Sequence, residues 1–133
     1  MNKFPQQFIE KIIFIIMALF LMATGKVQAQ EFVHDEDFKK KTSQGIVVIE
    51  FWASFNEANQ VPLKKLIDCK KYRVDMSQDP NLMTKHNVVG VPTVIIYNNG
   101  KEIKRFLPTI MMKLGVEIKD VQKEIDKLME DKF

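Results

Sequence analysis

Few side chains in this sequence could carry out covalent chemistry. Cys69 is the only cysteine, so no disulfide can form within the chain. Its thiol could enter disulfide exchange only alone or with a thiol supplied by a partner. The two histidines, His34 and His86, lie far apart and have no cysteine or acidic pair at ligand spacing. We therefore expect neither a metal site nor a cofactor.

Good helix-capping residues are concentrated in the stretch FWASFNEANQ, which follows a run of apolar residues. Ser54 and Glu57 have the S-x-x-E spacing of a capping box. Asn56 and Asn59 are good capping residues as well. The pattern predicts that a helix begins at Phe55.

This predicted helix continues to Asp68, with Leu63, Leu66 and Ile67 on one face. Pro62 either kinks it or, if Asn59 is the cap, lies in the first turn, where proline is tolerated.

Apolar patterning predicts the elements around this helix. GIVVIEFWA is apolar on both alternations, as is typical of a strand covered on both faces, and YRVDM is a second, shorter strand. TVIIY and KEIKRF are strands joined by Asn99-Gly100, a strong hairpin signal. The order predicts an α/β sandwich whose mixed sheet has parallel inner strands and an antiparallel edge.

Three further helices complete the predicted order. A short one covers Asp35 to Thr42, with Asp35 as its cap and Phe38 facing inward. Asp79-Pro80 opens one or two helical turns in SQDPNLMTKHN. The last helix is amphipathic, with apolar residues on one face at Ile118, Val121, Ile125 and Leu128.

The N-terminal segment has the features of a secretory signal. An unbroken apolar run, Ile12 to Ala23, follows a lysine-containing start and is shorter than the roughly 20 residues that span a bilayer. Val27 and Ala29 have the small-residue spacing that signal peptidase requires. The sequence predicts a cleaved signal at residues 1–29 and one domain at residues 30–133, and a retained anchor is the alternative. We expect an exported protein, periplasmic or secreted, that does not remain in the membrane after cleavage.

The charge of the chain gives no indication of nucleic-acid binding. Its net charge is +3, and residues 1–29 contribute +2 through three lysines and one glutamate, which leaves +1 for the remainder. The paired lysines are dispersed along the sequence, whereas nucleic-acid binding needs a concentrated basic face.

The order of elements and several short phrases resemble the thioredoxin family over nearly all of residues 30–133. VVIEFWAS is similar to the strand that leads into the thioredoxin active site, and KYRVDM to the next strand. GVPT is similar to the loop with the family's cis-proline, here Pro92, and TVIIYNNGKEI to its terminal hairpin. The resemblance implies a thioredoxin-like three-layer sandwich, with a mixed central sheet flanked by helices.

The redox pair of the family is missing. Its Cys-x-x-Cys would fall on residues 56–59, where Asn56 and Asn59 occupy the cysteine positions. An amide cannot attack a disulfide or carry electrons, so we interpret these residues as helix caps. Glu50 matches the family's buried acid, and Lys71 matches a lysine that often pairs with it, so we expect a structural ion pair. We expect Cys69 to be half-buried and inert, too far from Asn59 to replace the pair.

The resemblance implies a surface that binds polypeptide without sulfur. Members of the family hold an extended chain through backbone hydrogen bonds beside the cis-proline, which here gives Trp52, Phe55, Val91 and Pro92, with Val91 facing outward. We expect a non-catalytic module that binds a protein or peptide. The alternatives are a thiol–disulfide oxidoreductase that uses Cys69 or a partner's thiol, and a purely structural subunit.

Overall fold

The computed structural model describes residues 5–22 and 29–133. An N-terminal helix, α1 (Gln6–Met22), precedes the domain. No helix within the described residues is long and apolar enough to cross a membrane. The predicted cleavage motif at Val27 falls in residues 23–28, outside the described part, so the division at residue 29 stays a prediction.

The domain is built on a four-stranded mixed sheet in the order β2-β1-β3-β4. Its elements are α2 (Asp35–Thr42), β1 (Ile46–Trp52), β2 (Lys70–Asp75), α3 (Pro80–Lys85), β3 (Thr93–Asn98), β4 (Lys101–Phe106) and α4 (Ile118–Glu130). β1 is parallel to β2 and antiparallel to β3, and β3 is antiparallel to β4. The predicted mixed sheet is confirmed, but the prediction that its inner strands are parallel is wrong.

Alternate residues of the central strands face two separate apolar layers. Val47, Ile49 and Phe51 of β1 pack with Phe38 of α2 and Leu82 of α3. The other face of β1, with Ile46 and Val48, packs with Leu63, Leu66 and two residues of α4, Val121 and Ile125. α2 and α3 therefore cover one face of the sheet, and α4 with the turns around Leu63 and Leu66 covers the other. This is the sandwich that the sequence predicts.

The segment after β1 is not the helix that its capping pattern predicts. Two short 3-10 stretches, Ser54–Asn59 and Leu63–Lys65, occupy it instead. Asn56 has non-helical dihedral angles (φ −114°, ψ 30°), and Gln60 and Leu66 are extended. Pro62 precedes the second stretch, and the missing N–H of proline is consistent with the interruption. The chain thus crosses this face in turns, and Leu63 and Leu66 still reach the core.

A short N-terminal segment extends the sheet beyond β2. The Arg73 N–H donates to the Glu31 carbonyl, and the Val33 N–H donates to the Arg73 carbonyl. The Gln30 side chain also donates to the Lys71 carbonyl at 3.2 Å. The open edge of β2 is therefore partly covered, beginning at the first residue after the predicted cleavage site.

Candidate functional site

Three loops meet at one end of the sheet. They are the turns at residues 54–60, the segment 88–92 before β3, and the segment 107–117 after β4. Asn56 Nδ2 donates to the Met112 carbonyl at 2.8 Å and approaches the Val91 carbonyl at 3.5 Å. Gly90 lies so close to Pro108 that an added β-carbon would be 3.2 Å from its Cγ. One asparagine thus joins the first loop to both of the others.

Asn56 and Asn59 form an amide pair rather than helix caps. Asn59 Nδ2 donates to Asn56 Oδ1 at 2.8 Å, and Asn56 is only 7% exposed. The residue at the N-terminal cap of the first turn is Ala53, and no side chain caps it. The predicted capping roles of Ser54, Asn56 and Asn59 are therefore wrong. The prediction failed because the Asn56 amide bonds to the distant loop at Met112 and the Asn59 amide bonds to Asn56. The spacing of residues in the local sequence does not encode the contact with Met112.

The loop before β3 is more buried than the resemblance implies. Val91 is 5% exposed and Pro92 is also buried, so the expectation that Val91 faces outward is wrong. The Val91–Pro92 peptide bond is cis. Within the described residues, the Val91 N–H donates to no other backbone group, and its carbonyl has only the long contact with Asn56. The Val91 side chain is therefore part of the core, and its N–H group has no backbone partner among the described residues.

Each of these three loops carries exposed apolar side chains. Phe55 is 71% exposed, Val89 is 92%, Ile110 is 99% and Met111 is 69%. We call these four residues the tip surface. Only Phe55 was predicted from the sequence. Val89, Ile110 and Met111 come from loops whose proximity depends on the fold, so the only sequence signal for them was apolar residues next to turns.

Trp52 is directed toward β2 and the N-terminal segment. Its ring lies 6.1 Å from that of Phe32, and Arg73 Cζ is 5.9 Å from its centroid. Among the described residues, its buried Nε1 has no hydrogen-bond partner. The predicted set of Trp52, Phe55, Val91 and Pro92 is therefore not a row of exposed side chains, since Phe55 is the one member that is exposed.

A buried ion pair lies beneath the turns, but its cation is not the predicted one. Glu50 is fully buried, and Arg73 Nε donates to its Oε1 at 2.7 Å. The Val61 N–H donates to Oε2 at 2.9 Å, and Arg73 also donates to the Val61 carbonyl at 3.1 Å. Lys71 instead donates to the Leu66 carbonyl at 2.6 Å. The register explains the correction, because Glu50 lies opposite Arg73 while Lys71 lies opposite Val48.

The contacts of this ion pair are all with the two strands and the turn at Val61. Burial raises the pKa of Glu50, while the bonds from Val61 and Arg73 act in the opposite direction. The carboxylate ties β1 and β2 to the turn at Val61, which lies between the two 3-10 stretches. Its role is therefore to fix the path of the turns that present Asn56.

Cys69 lies away from this site. It is in the turn immediately before β2, half-buried and packed against the layer that contains Leu63 and Val121. Burial raises the pKa of the Cys69 thiol to about 11. Since the thiolate is the nucleophile, this shift disfavours the reactive form of Cys69 at neutral pH. The half-buried position matches the expectation, although the residue is not at the end of a helix.

The two histidines have different structural partners. His34 Nδ1 lies 2.7 Å from Asp79 Oδ2, and these residues flank the starts of α2 and α3. His34, rather than the predicted Asp35, is the N-terminal cap residue of α2. His86 stacks on Phe38 with a centroid distance of 4.3 Å. Within the described residues there is no group of three or more potential metal ligands.

The histidines should influence stability in opposite directions as pH changes. Burial, followed by the charge of Arg105, lowers the pKa of His86 below its usual 6.5. Folding therefore favours neutral His86, and stability is lost as pH falls from 6.5 toward the folded-state value. Urea denaturation from neutral pH to pH 5 should show a smaller loss of stability in His86→Leu than in the parent chain.

His34→Gln is the matched comparison. The bond to Asp79 raises the pKa of His34, so its pair stabilises the fold below 6.5 and is lost as pH rises through the folded-state value. This variant should lose more stability than the parent on acidification. If the stability of all three proteins changed with pH by the same amount, the pKa directions of both His34 and His86 would be wrong.

The chain has weak sequence similarity and clear structural similarity to known proteins. No protein-family model matches the chain. A thioredoxin of Staphylococcus aureus is 22% identical over 81 residues, which cover 55% of this chain and 78% of the relative. A designed protein has a TM-score of 0.63 at 22% identity, and the match covers 77% of this chain and 99% of that one.

A mutant thioredoxin from Halobacterium salinarum has a TM-score of 0.60 at 17% identity, over 75% of this chain and 94% of that one. The chain therefore has the thioredoxin-family fold, as the resemblance implies. It has this fold with a single cysteine, and asparagines stand at positions 56 and 59.

Proposed function

We propose that this protein is an exported, non-catalytic thioredoxin-fold module that binds an extended polypeptide at the tip surface. The observation that carries the proposal is the bonding of Asn56. Its buried amide joins the three loops, and four exposed apolar residues lie within two positions of the residues that it links. Apolar side chains near an N–H group that has no backbone partner among the described residues suit an extended chain, which offers carbonyl groups and alternate side chains.

The redox alternative has little support in the geometry. Disulfide exchange needs a thiolate near the surface and a second thiol to resolve the mixed disulfide. Cys69 is half-buried, its pKa is raised to about 11, and it is the only cysteine in the chain. We therefore propose that the chain has no oxidoreductase activity of its own.

Val89→Asp should weaken peptide binding and leave the fold intact. Val89 is 92% exposed, so a carboxylate there stays hydrated and the thermal midpoint should shift by only a few degrees. A charge in the centre of an apolar contact removes an anchor, which is typically worth about 2 kcal/mol, or roughly thirtyfold in affinity. The measurement is titration of peptides selected from a random display library against the parent protein.

Ile67→Asp is the control for this experiment. Ile67 is 62% exposed and lies in the segment before β2, outside the tip surface. This variant should keep parental affinity. If both variants lost affinity equally, or if neither lost any, the peptides would bind elsewhere. Val91→Asp is unsuitable as a test, because Val91 is buried and a charge there should unfold the loop.

The proposed export predicts a defined N-terminus. Cleavage after Ala29 should leave Gln30 as the first residue of the exported protein. Intact-mass spectrometry of the protein from the cell envelope or medium measures this directly. A main species that still carries residues 1–29 would contradict cleavage and support the anchor alternative.

A further inference from the structure

The lysines that are dispersed in sequence gather at the β2 edge of the domain. Two adjoining depressions share Lys70 and Tyr72 in their walls. One also contains Lys64 and Lys71, and the other contains Lys40. We call Lys40, Lys64, Lys70 and Lys71 the basic edge.

The basic edge retains its positive charge in the folded domain. Within the described residues, none of its four lysines forms a salt bridge with a carboxylate. The carboxylates in the two depressions, Glu31 and Asp37, both contact Lys41 instead. Asp68 lines a third depression together with Lys70, but no salt bridge joins these two described residues. Lys40, Lys64 and Lys70 are exposed and thus available to an external anion, whereas Lys71 is half-buried and donates to the Leu66 carbonyl.

The chain enters the domain at this edge. Ala29 and Gln30 line the same depression as Lys64 and Lys70. α1 ends at Met22, and seven Cα steps of about 3.8 Å limit its end to about 27 Å from Ala29. A surface that holds α1 is therefore within reach of the basic edge.

α1 needs an apolar environment that the described domain does not supply. Large apolar side chains from Phe8 to Leu19 are 45–70% exposed, and they lie all around the helix. A helix that is apolar all round is stable in lipid or in a protein core. Its 17 residues are about 25 Å long, somewhat less than the hydrocarbon thickness of a bilayer.

We propose that, while residues 1–29 remain attached, α1 inserts into lipid and the basic edge lies on an anionic bilayer surface. Clusters of lysines next to a lipid-embedded helix bind anionic headgroups, and each lysine adds to the attraction within a Debye length. The partner is a phosphatidylglycerol-type surface, and the tip surface stays available for its own ligand.

Lysine acetylation of the full-length chain in vesicles tests this proposal. Rates at Lys64 and Lys70 should fall several-fold in vesicles that contain phosphatidylglycerol, compared with pure phosphatidylcholine, and high salt should reverse the effect. Lys101 and Lys104 on β4, at the opposite edge of the sheet, are internal controls and should react equally in both lipids. Equal protection at both edges would overturn the proposal.

Charge reversal supplies a second readout. Lys64→Glu with Lys70→Glu should remove the lipid-dependent protection of Lys40 and Lys71, whereas Lys101→Glu with Lys104→Glu should preserve it. The full-length chain is also mixed with short duplex DNA, without vesicles. If DNA protects the basic edge better than anionic vesicles do, the edge binds polyanions in general and the lipid proposal is wrong.

Discussion

Replacing Arg73 with methionine should lower the free energy of unfolding by about 3–5 kcal/mol at neutral pH. Methionine fills much of the same space with an apolar side chain, but the buried carboxylate of Glu50 is left without its cation. It also removes the bond from Arg73 to the Val61 carbonyl. Urea denaturation followed by circular dichroism measures the loss.

Lys71→Met is the matched control, because Lys71 is the cation that the sequence predicted. Its ammonium group bonds only the Leu66 carbonyl within the described residues, so its removal should cost less than about 1.5 kcal/mol. A larger loss from Lys71→Met than from Arg73→Met would contradict the assignment of the ion pair.

The pH dependence gives this prediction a second test. Burial already raises the pKa of Glu50 above its usual 4.5, and removal of Arg73 should raise it further. For a carboxyl group with a raised pKa, stability is lost as pH rises from the unfolded-state value through the folded-state value. The deficit of Arg73→Met should therefore shrink as pH falls toward 4.5. A constant deficit would mean that Glu50 is not the group affected.

Asn56→Cys with Asn59→Cys, made in a Cys69→Ser background, should form a disulfide and acquire reductase activity. Asn59 Nδ2 and Asn56 Oδ1 lie 2.8 Å apart, so the two side chains point toward each other, and we expect two cysteines there to meet the geometry of a disulfide. The activity should be weak, because a 3-10 turn follows the site instead of a helix whose N-terminus would lower the thiol pKa. Insulin reduction with dithiothreitol is the assay.

The same variant should be less stable than its parent. The partly buried Met112 carbonyl loses its hydrogen bond from Asn56, at a typical cost of about 0.5–1.5 kcal/mol. The single variants should show neither disulfide nor activity, and Cys69→Ser alone should match the parent, with no turnover in either. Two thiols that stay free under oxidising conditions would mean that the amide pair does not mark the geometry of the missing cysteines.

Elements with strong local signals were predictable from the sequence. α2 covers Asp35–Thr42, the same range that its pattern predicts, and Asn99-Gly100 joins β3 to β4 as the hairpin signal indicates. Each of these depends on neighbouring residues alone. The segment after β1 has good capping residues too, yet its asparagines bond to each other and to distant loops. Tertiary contacts therefore overrode a correct local pattern.

Features of the site that depend on residue type alone could be predicted from the sequence. Features that depend on where the fold places a residue could not. The missing sulfur at residues 56 and 59 is evident in the sequence, and so is the acid at Glu50. The partner of Glu50 depends on the register between β1 and β2, and the predicted partner, Lys71, lies two residues away from the observed one, Arg73. An uncertainty of about two residues in the strand boundaries is enough to leave this choice open. The tip surface depends on the long loop after β4, whose contact with Asn56 spans 56 residues of sequence.

The amide bonds at Asn56 also determine how this protein responds to its surroundings. A pair of cysteines has two oxidation states, and its surface can differ between them. An amide pair has one, so oxidants and reductants that reset other thioredoxin-fold sites leave these loops unchanged. The proposed polypeptide ligand should therefore meet the same shape in oxidising and in reducing compartments, and concentration and affinity, rather than redox state, should set how much of it is bound.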